Sequence, residues 1–216
     1  MTSGLCATCW EKIHFIDHPL CDKCGMPFEI REITKAVCLG CLQDMPCYHQ
    51  LRSVFPYDDT SKPLILQFKH GDALHLVPLL VRWLAQAGQS LLVECDMIMP
   101  VPLHWLRLWR RSYNQAAVLA QGLGRFSGKS YAPDVLRRHR STASQGTKSS
   151  QQRHSNVKGS FSIKPTQVKS IEGKNILLID DVYASGATIS ECVKILKKSG
   201  ANQVDVLTLA RVLGSK

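Results

Sequence analysis

The chain has 216 residues, of which 44% are hydrophobic and 20% are charged, and its formal net charge is +10 with a pI of about 9.3. This composition predicts a globular protein with a sizeable core and excludes a disordered chain. The sequence has no run of eighteen apolar residues and no signal-peptide pattern, so we expect a cytoplasmic protein without a membrane span. The positive charge indicates an anionic partner.

Cysteine spacing defines the first predicted module. Six of the nine cysteines form three Cys-x-x-Cys pairs before residue 42, a pattern that indicates metal binding rather than disulfides in a cytoplasmic protein. Two pairs make a tetrahedral zinc site, and Cys24-Gly25 favours a site formed by Cys21, Cys24, Cys38 and Cys41. The alternative joins Cys6 and Cys9 to the second pair, and Cys47 could also contribute. We predict a zinc-ribbon module over residues 1–48.

Residues 49–216 alternate between strand and helix patterns and form the second predicted domain. Strands are predicted at 51–57, 96–101, 157–163, 175–179 and 203–212. Helices are predicted at 61–70, 73–87, 114–123 and 190–198. This order implies an α/β fold, in which a mostly parallel sheet carries helices on both faces. Residues 141–156 are rich in Ser, Thr, Gln and Arg, and we predict a mobile loop there.

The most informative segment spans residues 176–188. Four apolar residues lead into Asp180 and Asp181, and a loop of small residues then leads into a helix. Such a loop is typical of phosphate sites, because backbone N–H groups and the helix dipole face the anion. The predicted phosphate loop consists of Ala184, Ser185, Gly186, Ala187 and Thr188. The two carboxylates accept hydrogen bonds at the C-terminal edge of the strand, where they suit the hydroxyls of a ribose.

Two stretches without acidic residues, 101–129 and 135–171, flank this candidate site in the sequence. The first follows the strand at 96–101, so its side chains open at the same edge of a parallel sheet as the acid pair. Arginine suits phosphate because its planar guanidinium donates two parallel hydrogen bonds. The side chains predicted to face the ligand from this stretch are Arg107, Arg110, Arg111, Asn114 and Gln115.

These motifs resemble those of known families. Residues 176–188 resemble the motif with which type I phosphoribosyltransferases bind phosphoribosyl pyrophosphate (PRPP). The wider chain resembles ComF-type proteins in Pro-Val-Pro-Leu-His at 100–104 and in Arg-Ser-Tyr-Asn-Gln at 111–115, where that family usually has Arg-Gly-Phe-Asn-Gln. Further matches are Phe-Lys-His-Gly at 68–71, Thr-Ala-Ser-Gln at 142–145, Arg153 with Asn156, and the cysteine pairs. The resemblance covers nearly the whole chain.

The resemblance implies a type I phosphoribosyltransferase fold with an N-terminal zinc ribbon, in proteins linked to DNA uptake and single-stranded DNA. It assigns the acid pair to the ribose hydroxyls and the small loop to the 5′-phosphate of PRPP, which binds with Mg²⁺. Lys69 and Arg111 become candidates for stabilising the departing pyrophosphate, and Gln145, Arg153 and Asn156 for a loop that closes over the ligand. ComF-type proteins often have a further cysteine pair upstream of the pair that matches Cys6 and Cys9. Because that upstream pair is absent here, the resemblance implies that Cys6 and Cys9 have no second pair with which to form a zinc site.

Three functional readings stay open at this point. The chain is a phosphoribosyltransferase, or a non-catalytic module in which a nucleotide regulates the binding of single-stranded DNA, or a zinc-ribbon adaptor with a vestigial domain. The intact motif from Asp180 to Thr188 argues against the adaptor. Nucleic-acid binding would weaken steeply with ionic strength, which separates the second reading from the first.

Overall fold

The computed structural model describes residue 4 and residues 10–29, 36–70, 73–104, 113–140 and 157–213. The strands are β1 (Leu51–Pro56), β2 (Met97–Pro100), β3 (Ser130–Tyr131), β4 (Leu136–Arg138), β5 (Phe161–Ile163), β6 (Asn175–Tyr183) and β7 (Gln203–Arg211). The helices are α1 (Leu39–Gln43), α2 (Lys62–His70), α3 (Val77–Ala87), α4 (Gln89–Glu94), α5 (Gln115–Ser127), α6 (Val168–Ile171) and α7 (Ala187–Lys198). Short 3-10 helices span Ala73–Leu76 and Pro165–Gln167.

A five-stranded sheet forms the centre of the molecule. Its order is β1-β7-β6-β2-β3, and every neighbouring pair is parallel. Since β2 and β6 are parallel neighbours, their C-terminal ends lie side by side at one edge of the sheet, as the sequence predicted. The antiparallel hairpin of β4 and β5 is separate from this sheet. None of the described helices has the length and apolar character that a membrane crossing requires.

Helices cover both faces of the sheet, which confirms the predicted α/β architecture. Along β6, Leu177 and Ile179 belong to the core cluster that includes residues of α2, α3 and α5. Ile176 and Leu178 point to the other face and belong to the cluster that includes α7 and the cysteines of the N-terminal module. All four side chains are fully buried, as expected for a central parallel strand. The zinc module and α7 therefore share one side of the sheet.

Several boundaries differ from the predictions. β6 continues to Tyr183, because β7 runs beside it as far as Arg211 and supplies hydrogen-bond partners. α7 begins at Ala187 rather than at 190, since Gly186 in the left-handed region turns the chain into the helix. The predicted helix at 73–87 is divided into a 3-10 turn and α3, with Pro78 in the first turn of α3. The strand predicted at 157–163 is limited to β5, and α4, β3 and β4 were not predicted.

Candidate functional site

The two adjacent carboxylates lie at the C-terminal end of β6 and interact with each other electrostatically. Asp180 Oδ1 accepts a hydrogen bond of 2.9 Å from the backbone N–H of Asp181. Burial, and then the charge of Asp181, raise the pKa of Asp180 to about 7, although this N–H, Lys69 and Arg138 act in the opposite direction. With this pKa, the protonation of Asp180 changes close to neutral pH.

Asp181 forms an ion pair with the predicted catalytic candidate Lys69. The Nζ atom of Lys69 lies 3.2 Å from Oδ2 of Asp181, and the two side chains are only 17% and 14% exposed. Lys69 comes from the last turn of α2, far from the acid pair in the sequence. The structure thus brings a cation of the N-terminal half of the chain to the end of β6.

The first residue of α5 and the two residues before it hold the backbone of this lysine in place. The Tyr113 hydroxyl donates to the carbonyl of Phe68, and Gln115 Nε2 donates to the carbonyl of Lys69 over 3.2 Å. Asn114 caps α5 by accepting from the Ala116 N–H, and its Nδ2 donates to the Val101 carbonyl. Asn114 and Gln115 therefore position backbone around the site, and their direct contact with a ligand stays a prediction.

The predicted phosphate loop follows the acid pair after two further residues of β6, Val182 and Tyr183. Gly186 has a φ of 71° and precedes α7, and none of the side chains that the structure describes caps this 12-residue helix. The first turn of a helix leaves its backbone N–H groups without intrahelical partners, so they are available to an anion. A Cβ atom at Gly186 would lie 2.6 Å from the hydroxyl oxygen of Tyr183. Both the backbone and the neighbouring ring thus require glycine at this position.

Arg138 is a site residue to which the sequence assigned no role. It lies on β4, its guanidinium is 5.2 Å from the centre of the Phe161 ring on β5, and its charge lowers the pKa of Asp180. Sequence reasoning included it only in the basic stretch at 135–171. No sequence signal identifies it, because the pairing of β4 with β5, which positions Arg138, joins residues more than twenty positions apart.

Some predicted site residues lie outside the described parts of the chain. These are the arginines of the loop after β2 (Arg107, Arg110 and Arg111), the residues of the predicted mobile loop (Gln145, Arg153 and Asn156), and the first cysteine pair (Cys6 and Cys9). Their roles stay predictions.

The second and third cysteine pairs form a metal-binding cluster. The sulfur atoms of Cys21, Cys24, Cys38 and Cys41 all lie within 4.8 Å of one another, and those of Cys24 and Cys38 are 3.6 Å apart. A tetrahedral zinc ion with Zn–S bonds of about 2.3 Å needs sulfur separations of about 3.8 Å. The backbone N–H groups of Cys24 and Cys38 donate to the sulfur of Cys21 over 3.5 and 3.3 Å. The cluster fits Zn²⁺.

Glycine and electrostatics support this cluster. Gly25 has a φ of +64°, and a Cβ atom there would lie 2.5 Å from the Leu51 carbonyl oxygen. Burial acts to raise the pKa of Cys21, but backbone hydrogen bonds outweigh it and lower the pKa to about 7. Burial raises the pKa of Cys24 and of Cys41. A bound cation would oppose this effect of burial and favour the thiolate forms of Cys24 and Cys41.

Comparison with known proteins agrees with this geometry. Residues 1–42 match the model of the double zinc ribbon domain, and residues 109–216 match that of the phosphoribosyl transferase domain. Together with the four-cysteine cluster, the first match supports structural zinc. The fold and the matches define a phosphoribosyltransferase-type domain that follows a zinc ribbon.

Relatives that match over almost the full length identify the family. DNA utilization protein YhgH of Escherichia coli (strain K12) is 31% identical over 97% of this chain and 91% of its own length. Competence protein F of Haemophilus influenzae is also 31% identical, with the same coverage. Competence protein ComFC of Bacillus subtilis is 30% identical over 96% of this chain and 84% of its own. The chain belongs to the ComF family of phosphoribosyltransferase-like proteins.

Proposed function

We propose that this chain binds PRPP, together with Mg²⁺, at the C-terminal edge of its parallel sheet, and that it acts in DNA uptake or in the handling of single-stranded DNA. The observation that carries the proposal is the acid pair near the C-terminal end of β6, followed after the last two strand residues by the small-residue loop and the N-terminus of α7, which no described side chain caps. The match to the phosphoribosyl transferase domain and the names of the relatives support it.

Each part of the site has a role in this proposal. Asp180 and Asp181 accept hydrogen bonds from the ribose 2′- and 3′-hydroxyls, and the loop from Ala184 to Thr188 donates to the 5′-phosphate. Lys69, which already stands 3.2 Å from Asp181, faces the pyrophosphate side of the ligand. Arg107, Arg110 and Arg111 complete that side, and the Mg²⁺ bound with PRPP neutralises part of the pyrophosphate charge.

The DNA part of the proposal rests on charge. Arg137, Arg140 and Lys158 are exposed on or next to the hairpin of β4 and β5. Single-stranded DNA would contact such cations through its phosphates, and its affinity would fall steeply as the salt concentration rises.

Calorimetric titration of Mg²⁺–PRPP into the wild type and into the double variant Asp180→Asn/Asp181→Asn tests the ligand site. We expect the wild type to bind and the variant to lose most of its affinity, because amides accept the ribose hydroxyls poorly. Charge alone predicts the opposite result, since removing two carboxylates should strengthen the attraction of an anion.

The matched control is Asp59→Asn/Asp134→Asn, which removes the same charge from two exposed sites. The control should bind PRPP as well as the wild type or slightly better. Absence of binding by the wild type, or equal binding by the two double variants, would refute the proposed site.

A further inference from the structure

The zinc module and the first turn of α7 belong to the same cluster of the hydrophobic core. Cys21, Cys24, Cys41 and Tyr48 of the N-terminal module belong to one buried cluster with Ala187 and Ile189, which form the first turn of α7. The sheet does not separate the two sites, because both lie on the same face of it. Metal binding can therefore influence the loop through direct packing.

A buried arginine joins the zinc ligands to the end of β6. Arg211 is the last residue of β7 and is only 3% exposed. Its Nη1 donates to the backbone carbonyl of Cys24, and its guanidinium lies 5.7 Å from the centre of the Tyr183 ring. The backbone N–H of Val212 also donates to the Tyr183 carbonyl over 2.8 Å. One side chain thus touches both a metal-ligand segment and the residue that precedes the phosphate loop.

Tyr183 fills the space between the zinc module and the phosphate loop. Its hydroxyl lies 3.3 Å from that of Tyr48, and the two rings meet edge to face with centres 6.3 Å apart. On its other side, the hydroxyl oxygen lies 2.6 Å from the place where a Cβ atom of Gly186 would be. A displacement of this ring would therefore move the turn at Gly186, and with it the N-terminus of α7.

We propose that the zinc centre positions the phosphate loop, and that Arg211 and Tyr183 are the positioning residues that transmit its state. With four ordered cysteines, the Cys24 carbonyl holds Arg211, Arg211 holds Tyr183, and Tyr183 supports Gly186. Thermodynamic linkage makes the effect reciprocal: zinc strengthens the binding of an anion at the loop by the same factor by which the anion strengthens zinc binding. The identity of that anion as PRPP rests on the proposed function, whereas the mechanical link does not.

Hydrogen exchange of a peptide covering residues 184–188 tests the link in variants that keep the metal. Tyr183→Phe removes only the hydroxyl, and Arg211→Lys keeps the charge but loses the planar guanidinium. The control is Tyr131→Phe, which removes a hydroxyl that donates to the Ala117 carbonyl over 3.2 Å. Tyr131 lies on β3, the outermost strand on the side of the sheet away from β1. Zinc content per chain and the affinity for Mg²⁺–PRPP are measured on the same samples.

We expect both positioning variants to retain zinc and to exchange the loop amides about tenfold faster, with an affinity for PRPP lower by about the same factor. The control should match the wild type in all three measurements. Unchanged loop exchange in Tyr183→Phe and Arg211→Lys would overturn the proposal even if PRPP binds well. If the wild type fails to bind PRPP, the proposed function falls, but faster exchange confined to the two positioning variants still supports the link.

Discussion

The turn at Gly186 gives a prediction whose size follows from the structure. Gly186→Ala places a side chain at a φ of +71°, and an L-residue in the left-handed region costs about 1–2 kcal/mol. The new Cβ atom would also lie 2.6 Å from the Tyr183 hydroxyl oxygen and 3.0 Å from its Cζ, so the ring or the loop must move. Overpacking of this kind costs about 1–3 kcal/mol. We expect the free energy of unfolding to fall by about 2–5 kcal/mol.

The control for this variant is Gly128→Ala at the end of α5. Gly128 has the same φ of +71°, but a Cβ atom there would meet nothing within 4 Å, so only the backbone cost of about 1–2 kcal/mol applies. Urea unfolding measures the loss of unfolding free energy in both alanine variants, and an unchanged m-value shows that the two losses can be compared. Adding Tyr183→Phe to Gly186→Ala should recover part of the loss, because it removes the nearest atom. Equal losses in the two alanine variants would refute the role assigned to Tyr183.

Three further predictions concern the acid pair, the lysine and the metal. Since the folded pKa of Asp180 is raised to about 7, this group stabilises the free protein most below its ordinary pKa of 3.8. That contribution to stability is lost as the pH rises through 7, while the affinity for PRPP rises. Denaturation at a series of pH values measures the first trend and calorimetry measures the second, and Asp180→Asn should abolish both. Gln115→Ala should weaken PRPP binding several-fold, because it releases the Lys69 carbonyl, and lower stability by about 1 kcal/mol. Cys38→Ser should eliminate zinc, as measured by mass spectrometry of the metal, whereas Cys47→Ser should retain it, because Cys47 is outside the four-sulfur cluster.

The sequence predicted the core of the site because its signals are local. Four apolar residues before two carboxylates indicate a buried strand end, and small residues followed by a helix pattern indicate an anion site. The continuation of β6 to Tyr183 could not be predicted, because Asp180 and Asp181 interrupt the apolar run. That extension depends on β7, which pairs with β6 up to Arg211. Short strands such as β4 and β5 likewise depend on partners more than twenty residues away and leave no periodic pattern of their own.

The zinc module shows the same division between local and non-local information. Cysteine spacing and Gly25 favoured a site formed by the second and third cysteine pairs, and the structure brings those four sulfur atoms together. Spacing could not predict that the module would pack beside α7, since that contact is made by side chains from both ends of the chain. The contact of Tyr48 with Tyr183 likewise depends on non-local information, because the two residues are far apart in the sequence.

Not all of the net charge of +10 is available at the surface, because part of it lies inside the protein. Arg211 is buried against the Cys24 carbonyl, and Nη1 of Arg52 donates to the carbonyls of Leu51 and Asp22 over 2.8 and 3.3 Å. Both arginines fasten the zinc module to the sheet, and the buried Arg211 does not present its charge to a polyanion. The DNA binding that we propose therefore requires exposed cations such as Arg137 and Arg140. These cations stand on and next to the hairpin that carries Arg138, whose charge lowers the pKa of Asp180. We therefore expect that DNA bound there and PRPP bound at the acid pair would change each other's affinity, which titration of one ligand in the presence of the other would measure.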